Sequence, residues 1–269
     1  MQIPTENVLK MEETDLFNGA SGLLYIICLI YQNQTINQET QKLMNILTNK
    51  VMEASDPETM LIYNFETEYK PLTGIAHGQC GYALALAYML EFAEEELKTA
   101  IINKIRLSEY YEKQQYCEKD KNIPDYRKFS VHIRNANPYN YEKRYMYGKC
   151  SGIIGCTQAY MKINNRVNIR DLDDWIKKAN DFLNNITLIG NDSLCCGTSS
   201  WIEYLIELQK KSEYKDWCDR QIWKVFISRK EEGYVFNAFS NIRDISLYKG
   251  LAGVGYTLLR YLKNYPDII

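Results

Sequence analysis

The feature that most constrains this chain is an internal repeat, a small-residue turn that runs straight into an apolar helical stretch. Gly19-Ala20-Ser21-Gly22 leads into Leu23 to Ile30, and Gly78-Gln79-Cys80-Gly81 into Tyr82 to Leu90. Gly152-Ile153-Ile154-Gly155 leads into Cys156 to Ile163, Gly197-Thr198-Ser199-Ser200 into Trp201 to Leu208, and Gly250-Leu251-Ala252-Gly253 into Val254 to Leu262. The shared core is Gly-x-x-Gly, with Ser200 in place of the second glycine of the fourth copy. Recurrence of one such unit marks a repeat architecture, in which no unit buries its apolar surface alone. The helices are apolar nearly all round, as helices covered on both sides are. Between them the polar stretches Gln38 to Glu53, Glu94 to Tyr116, Ile169 to Leu188 and Tyr214 to Arg229 read as amphipathic helices. In Asp171-Leu172-Asp173-Asp174-Trp175-Ile176-Lys177-Lys178 the acids precede the lysines, as the helix dipole favours. Strand alternation is almost absent. Buried and amphipathic helices in alternation predict an all-α fold of about five helical hairpins arranged in a ring or solenoid.

The glycines let the backbone turn sharply into each inner helix and let neighbouring helix starts approach closely. If the inner helices run the same way, their N-termini gather at one end. Unpaired N–H groups and positive dipole then collect there, which favours thiolates and anionic intermediates. Cys150, Cys195, Cys196 and His77 all fall at or just before such starts. Thiolates and imidazoles are zinc ligands, and a catalytic zinc keeps three protein ligands and one open position. Buried packing of small apolar thiols is the competing explanation. The convergence at helix starts favours the metal. Cys80 and Cys156 lie near the same turns and are read as core.

The remaining sequence bounds the function classes. The 269 residues carry 46% hydrophobic and 25% charged side chains, ordinary for a globular protein. A net charge of −2 argues against a general nucleic-acid or membrane-surface binder. No stretch approaches the roughly 20 apolar residues that span a bilayer. Met1 to Glu6 lacks the basic start and apolar run of a signal peptide, so a cytoplasmic protein with eight reduced cysteines is expected. The chain reads as a single domain over 1–269 with an inserted loop around 117–146. That insertion holds Asn122 to Tyr126, Asn137 to Tyr141 and the basic residues Arg127, Lys128, Arg134, Lys143 and Arg144. It reads either as a loop that grips a peptide or as a solvated connection. His132 within it reads as a surface residue.

His77-Gly78-x-x-Gly81, Cys150-x-Gly152-x-x-Gly155 and Cys195-Cys196-Gly197, in this order, resemble the lanthionine synthetase cyclase (LanC-like) family. The likeness extends to the C-terminal cyclase domain of class II, LanM-type synthetases. It implies an α/α toroid of two concentric helix layers. It also implies a zinc ion held by Cys150, Cys195 and Cys196, and addition of peptide cysteine thiols to dehydroalanine or dehydrobutyrine. Asp15 falls where the family has an active-site aspartate shortly before a Gly-x-x-Gly turn. His77 is then the acid that protonates the α-carbon, since an imidazole exchanges protons near neutrality. Asp15 either orients a catalytic group or caps a helix. The substrate implied is a ribosomally made precursor peptide, and a separate dehydratase is implied because no dehydratase domain is present.

The chain departs from the family pattern in several places. Cys196 stands where histidine is usual, as in a known three-cysteine variant. Lys149 replaces a common tryptophan, and about five hairpins are present where seven are usual. A five-hairpin ring would leave apolar faces on its first and last helices. These call for self-association, a polypeptide that completes the toroid, or tight closure of the ring on itself. The alternative to a cyclase is a catalytically inactive, peptide- or partner-binding module of the same family. A glycosidase on an α/α toroid is a weaker third reading, because it needs paired carboxylates and only Asp15 lies at an inner-helix start.

Overall fold

The computed structural model describes residues 5–63, 68, 70–127, 144–186, 191–234 and 245–263. A short helix α1 (Thr5–Leu9) precedes four helical pairs and a last helix. The pairs are α2 (Ala20–Tyr31) with α3 (Gln38–Glu53), α4 (Gln79–Met89) with α5 (Glu95–Gln114), α6 (Ile153–Asn164) with α7 (Leu172–Asn185), and α8 (Thr198–Leu208) with α9 (Lys215–Glu232); α10 (Leu251–Lys263) follows. Helices α2, α4, α6, α8 and α10 form the inner layer, each packed on the next in that order, and α3, α5, α7 and α9 back them from outside. This is the α/α toroid that the resemblance implies, built from the hairpins that the repeat predicts. The two strands among the described residues are two-residue segments, Pro124–Asp125 (β1) paired antiparallel with Arg144–Tyr145 (β2).

The repeat has a steric cause. A Cβ on Gly22, Gly81, Gly155 or Gly253 would overlap a carbonyl oxygen six residues earlier, that of Leu16, Ile75, Lys149 or Leu247. Each second glycine therefore lies where the incoming chain crosses the first turn of its own helix. At Ser200 a side chain is accommodated, and its hydroxyl donates to the Gly197 carbonyl at 2.6 Å.

Helices α4, α6 and α8 are buried along nearly their whole length, with Leu84, Leu86, Ile163 and Tyr204 among their fully covered side chains. The two ends of the inner layer differ. On α2, Ile26 and Ile30 are exposed, and on α10 so are Leu251, Leu259 and Leu262. The apolar end faces read from the sequence are therefore present. The outer helices bury one stripe each, as on α7 with Leu172, Trp175, Ile176, Ala179, Phe182 and Leu183.

Part of the inserted segment is not a solvated connection. Asn122 to Tyr126 are buried. The Asn122 side chain accepts from Ile123 N–H and Ile153 N–H at 2.8 Å each and donates to the Met146 carbonyl at 2.9 Å. It thereby caps the start of α6 and holds the chain just before Cys150. Residues 128–143, including His132, Arg134 and Asn137 to Tyr141, lie outside the described residues.

Candidate metal centre and its proton-transfer pair

The five turns that open the inner helices are stitched together by backbone hydrogen bonds. Phe17 N–H donates to Ala76 O at 3.2 Å, Ala76 N–H to Cys150 O at 3.1 Å, Cys150 N–H to Cys195 O at 3.3 Å, and Cys195 N–H to Tyr248 O at 2.9 Å. The Phe17 and Tyr248 rings meet edge to face, 5.3 Å between centroids, which brings the first and last turns together. Inner-helix N-termini thus gather at one end, as the sequence predicts. Every candidate site residue is carried on this linked set of turns.

Two glycines in left-handed backbone set the spacing. Gly74, at φ +98°, lies so close to the Cys150 carbonyl and Ser151 that a Cβ would overlap both; Gly152, at φ +103°, lies against the Met146 carbonyl and Asn122. Non-glycine residues adopt this region only at a cost. Gly148 packs directly on the backbone of Cys196, which presses the Cys150 turn against the Cys195-Cys196 turn.

Cys150, Cys195 and Cys196 are brought together, their sulfurs all within 4.8 Å of one another and all half-buried. Cys196 Sγ lies 3.3 Å from Cys195 Sγ. Cys150 and Cys195 are joined as a disulfide, with Cα atoms 5.8 Å apart. This departs from the expectation that all eight cysteines are reduced; the turns bring the two sulfurs within bonding reach. Burial raises the Cys196 thiol above its ordinary pKa, with Arg127 and Lys249 opposing from nearby and Asp125 adding to the rise. Arg127 is itself held by Asp125 through Nε, at 3.0 and 2.9 Å to the two carboxylate oxygens.

The donor set suits zinc once Cys150 and Cys195 are reduced. Two thiolates about 2.3 Å from a tetrahedral ion are about 3.8 Å apart, a separation within the spread of this cluster. Three protein ligands would leave one coordination position for a substrate thiol, and Cys150 and Cys195 line a cleft.

His77 and Asp15 meet on the neighbouring turns. His77 Nδ1 lies 2.7 Å from Asp15 Oδ2. Asp15 Oδ1 accepts from Phe17 N–H at 2.8 Å and Asn18 N–H at 2.6 Å. The carboxylate thus closes its own turn and holds the imidazole, and it is not the cap of α2, whose N-cap residue is Gly19. Burial pushes Asp15 upward, but the His77 hydrogen bond and the two N–H donors outweigh it and hold the carboxyl below its usual range. The Phe17 ring stands edge-on to His77, at 5.9 Å.

Supporting residues escaped the sequence reading. Glu112 of α5 is fully buried behind the His77 turn, where Oε1 accepts from Gly74 N–H and Cys80 N–H at 3.0 Å each and Oε2 accepts from Tyr160 hydroxyl at 2.8 Å. Cys80 and Cys156 are fully buried beside it, as core packing requires. A buried ion pair, Arg229 Nε to Asp192 Oδ1 at 2.9 Å, underpins the turn before Cys195. Each support comes from a distant part of the chain. The one local signal is that Glu112 continues the buried stripe of α5 formed by Ile101, Lys104, Ile105 and Ser108.

Comparison with known proteins adds the following. The family model described as lanthionine synthetase C-like protein matches residues 1–268. Among solved structures, nisin cyclase superposes with a TM-score of 0.65 at 16% sequence identity, over 97% of this chain and 68% of that one. That likeness is one of fold. No curated protein sequence matches the chain.

Proposed function

The chain belongs to the lanthionine synthetase C-like family, and from that premise we propose that it is a zinc-dependent cyclase that adds peptide cysteine thiols to dehydroalanine or dehydrobutyrine. The observation that carries the reading is the meeting of three cysteine sulfurs within 4.8 Å of one another, two of the three cysteines lining a cleft. The His77–Asp15 pair stands one hydrogen-bonded turn away. Cys150, Cys195 and Cys196 would hold the zinc in their reduced state. Bound there, zinc keeps a coordinated thiol deprotonated at neutral pH.

In the addition, the sulfur–Cβ bond forms while the π pair of the Cα–Cβ double bond moves to Cα, which then needs a proton. In this reading His77 supplies it. Asp15 takes the Nδ1 hydrogen bond, so Nε2 is the atom left to carry the transferable proton. Apolar walls formed by Leu16, Ile75 and Leu194 limit the water that competes for the dehydro residue. The substrate is a precursor peptide that has already been dehydrated, and the reaction belongs to a reducing compartment such as the cytoplasm, where Cys150 and Cys195 are in the reduced state.

The test is direct. A synthetic peptide with one dehydroalanine and one cysteine is incubated with the reduced, zinc-supplemented chain and then alkylated with N-ethylmaleimide. Cyclisation leaves peptide mass unchanged and removes the alkylatable thiol. Binding of the peptide with its thiol still fully labelled would contradict a cyclase and leave an inactive peptide-binding module.

A further inference from the structure

The mouth of the site is an apolar cleft with a cavity volume of about 140 Å³. That is room for several water-sized groups beside the cysteine sulfurs. Its walls are Leu16, Phe17, Tyr25, Ile26, Leu29 and Tyr248, and its floor includes Cys150 and Cys195. Phe17 and Ile26 stand 49% and 51% exposed. Among the described residues Lys149 is the one lining residue with a basic side chain, and no acid lines the cleft.

We infer that this cleft is a side-chain subsite for the apolar residues that flank the reacting cysteine of the peptide, and that it selects Leu-, Ile- or Val-flanked cysteines over acid-flanked ones. The inference rests on the cyclase reading for the position of the peptide cysteine. With that thiol at the three-cysteine cluster, the adjoining Cα atoms are about 3.8 Å away along the peptide. Their side chains then fall against walls that share two residues with the cluster. Half-burying two leucines there is expected to be worth roughly ten- to a hundredfold in affinity. An acidic residue would be desolvated against Leu16, Ile26 and Leu29, whose side chains cannot pair its charge, while the Lys149 side chain is itself buried. Ile26 is the wall residue best suited to a test, because half of it is already in water and the core does not depend on it.

The experiment measures binding, so that it stands apart from turnover. Fluorescein-labelled Gly-Leu-Cys-Leu-Gly, Gly-Asp-Cys-Asp-Gly and Gly-Leu-Ser-Leu-Gly are titrated by anisotropy with the reduced, zinc-loaded full chain. The expected result is tenfold or tighter binding of the leucine-flanked cysteine peptide over the aspartate-flanked one. Ile26→Asp should shrink that ratio to about threefold or less, Ile26→Ala should give an intermediate value, and both should retain zinc. The serine peptide should bind at least tenfold more weakly than its cysteine parent. Equal affinity for the two cysteine peptides, or an unchanged ratio in both Ile26 variants, overturns the subsite. Serine and cysteine peptides binding alike would overturn its placement beside the thiol cluster. Loss of cyclisation with the binding pattern intact would instead count against the cyclase reading.

Discussion

Glu112 gives the sharpest stability prediction, because it is a carboxyl with no exposed surface in a part of the fold that carries the His77 turn. Burial raises its pKa from 4.5 to about 7, against the opposing hydrogen bonds from Tyr160, Cys80 N–H, Gly74 N–H and the Cys156 thiol. A carboxyl whose folded pKa lies above its unfolded value stabilises the protein fully below the unfolded pKa. That stability is lost as pH rises through the folded one. A shift of about 2.5 units corresponds to about 3 kcal/mol between the two limits, of which roughly 2.5 kcal/mol falls between pH 5 and pH 8. Glu112→Gln removes the titration and keeps the geometry. The amide oxygen still accepts from Gly74 and Cys80, and its NH₂ can donate to the Tyr160 oxygen. Urea denaturation followed by tryptophan fluorescence at pH 5, 6, 7 and 8 on both proteins is the assay. The wild type should lose about 2–3 kcal/mol more than the variant across this range. The raised thiols do not interfere, since Cys28 and Cys218 are pushed to about 12 and Cys156 to about 11. Identical pH dependence in the two proteins, or a wild type that gains stability toward pH 8 relative to the variant, would refute the reasoning.

Further outcomes follow from the supports of the same turns. Arg229→Ala strips the guanidinium from the fully buried Asp192 and should cost about 3–5 kcal/mol, read by thermal or urea unfolding. Gly74→Ala forces a Cβ into the Cys150 carbonyl at positive φ, whereas Gly233→Ala, also at positive φ, meets nothing within 4 Å. The second should therefore cost about 1 kcal/mol and the first clearly more, with zinc affinity lowered in the first alone. His77→Ala should retain zinc and slow cyclisation about 10²- to 10⁴-fold, while Asp15→Asn should slow it less; single-turnover alkylation assays measure both.

The fold was legible because its repeat is enforced by sterics at each copy. Where the chain crosses the first turn of its own helix only a very small residue fits, so the glycines print the architecture into the sequence. The site was legible for a related reason. Asp15, His77, Cys150, Cys195 and Cys196 all lie on the turns that those glycines create. What positions them was not legible. Glu112 sits in a helix rich in Glu and Lys, where a buried carboxylate and a solvated one look alike, and its partners are 32 to 48 residues away. Asn122 was read as part of a loop, yet it caps a helix 31 residues on. The Cys150–Cys195 disulfide was missed because adjacency drew attention to Cys195 and Cys196. The pairing depends instead on how Gly74 and Gly148 press three separate turns together.

The account stands or falls on the three sulfurs acting as one metal site. Native mass spectrometry of the chain, reduced with a phosphine, supplied with zinc and desalted, reads this without any substrate. The predicted spectrum shows one zinc per chain in the wild type, and no retained zinc in Cys150→Ala or Cys195→Ala. A reduced wild type that holds no zinc, or full zinc occupancy in both variants, would contradict it.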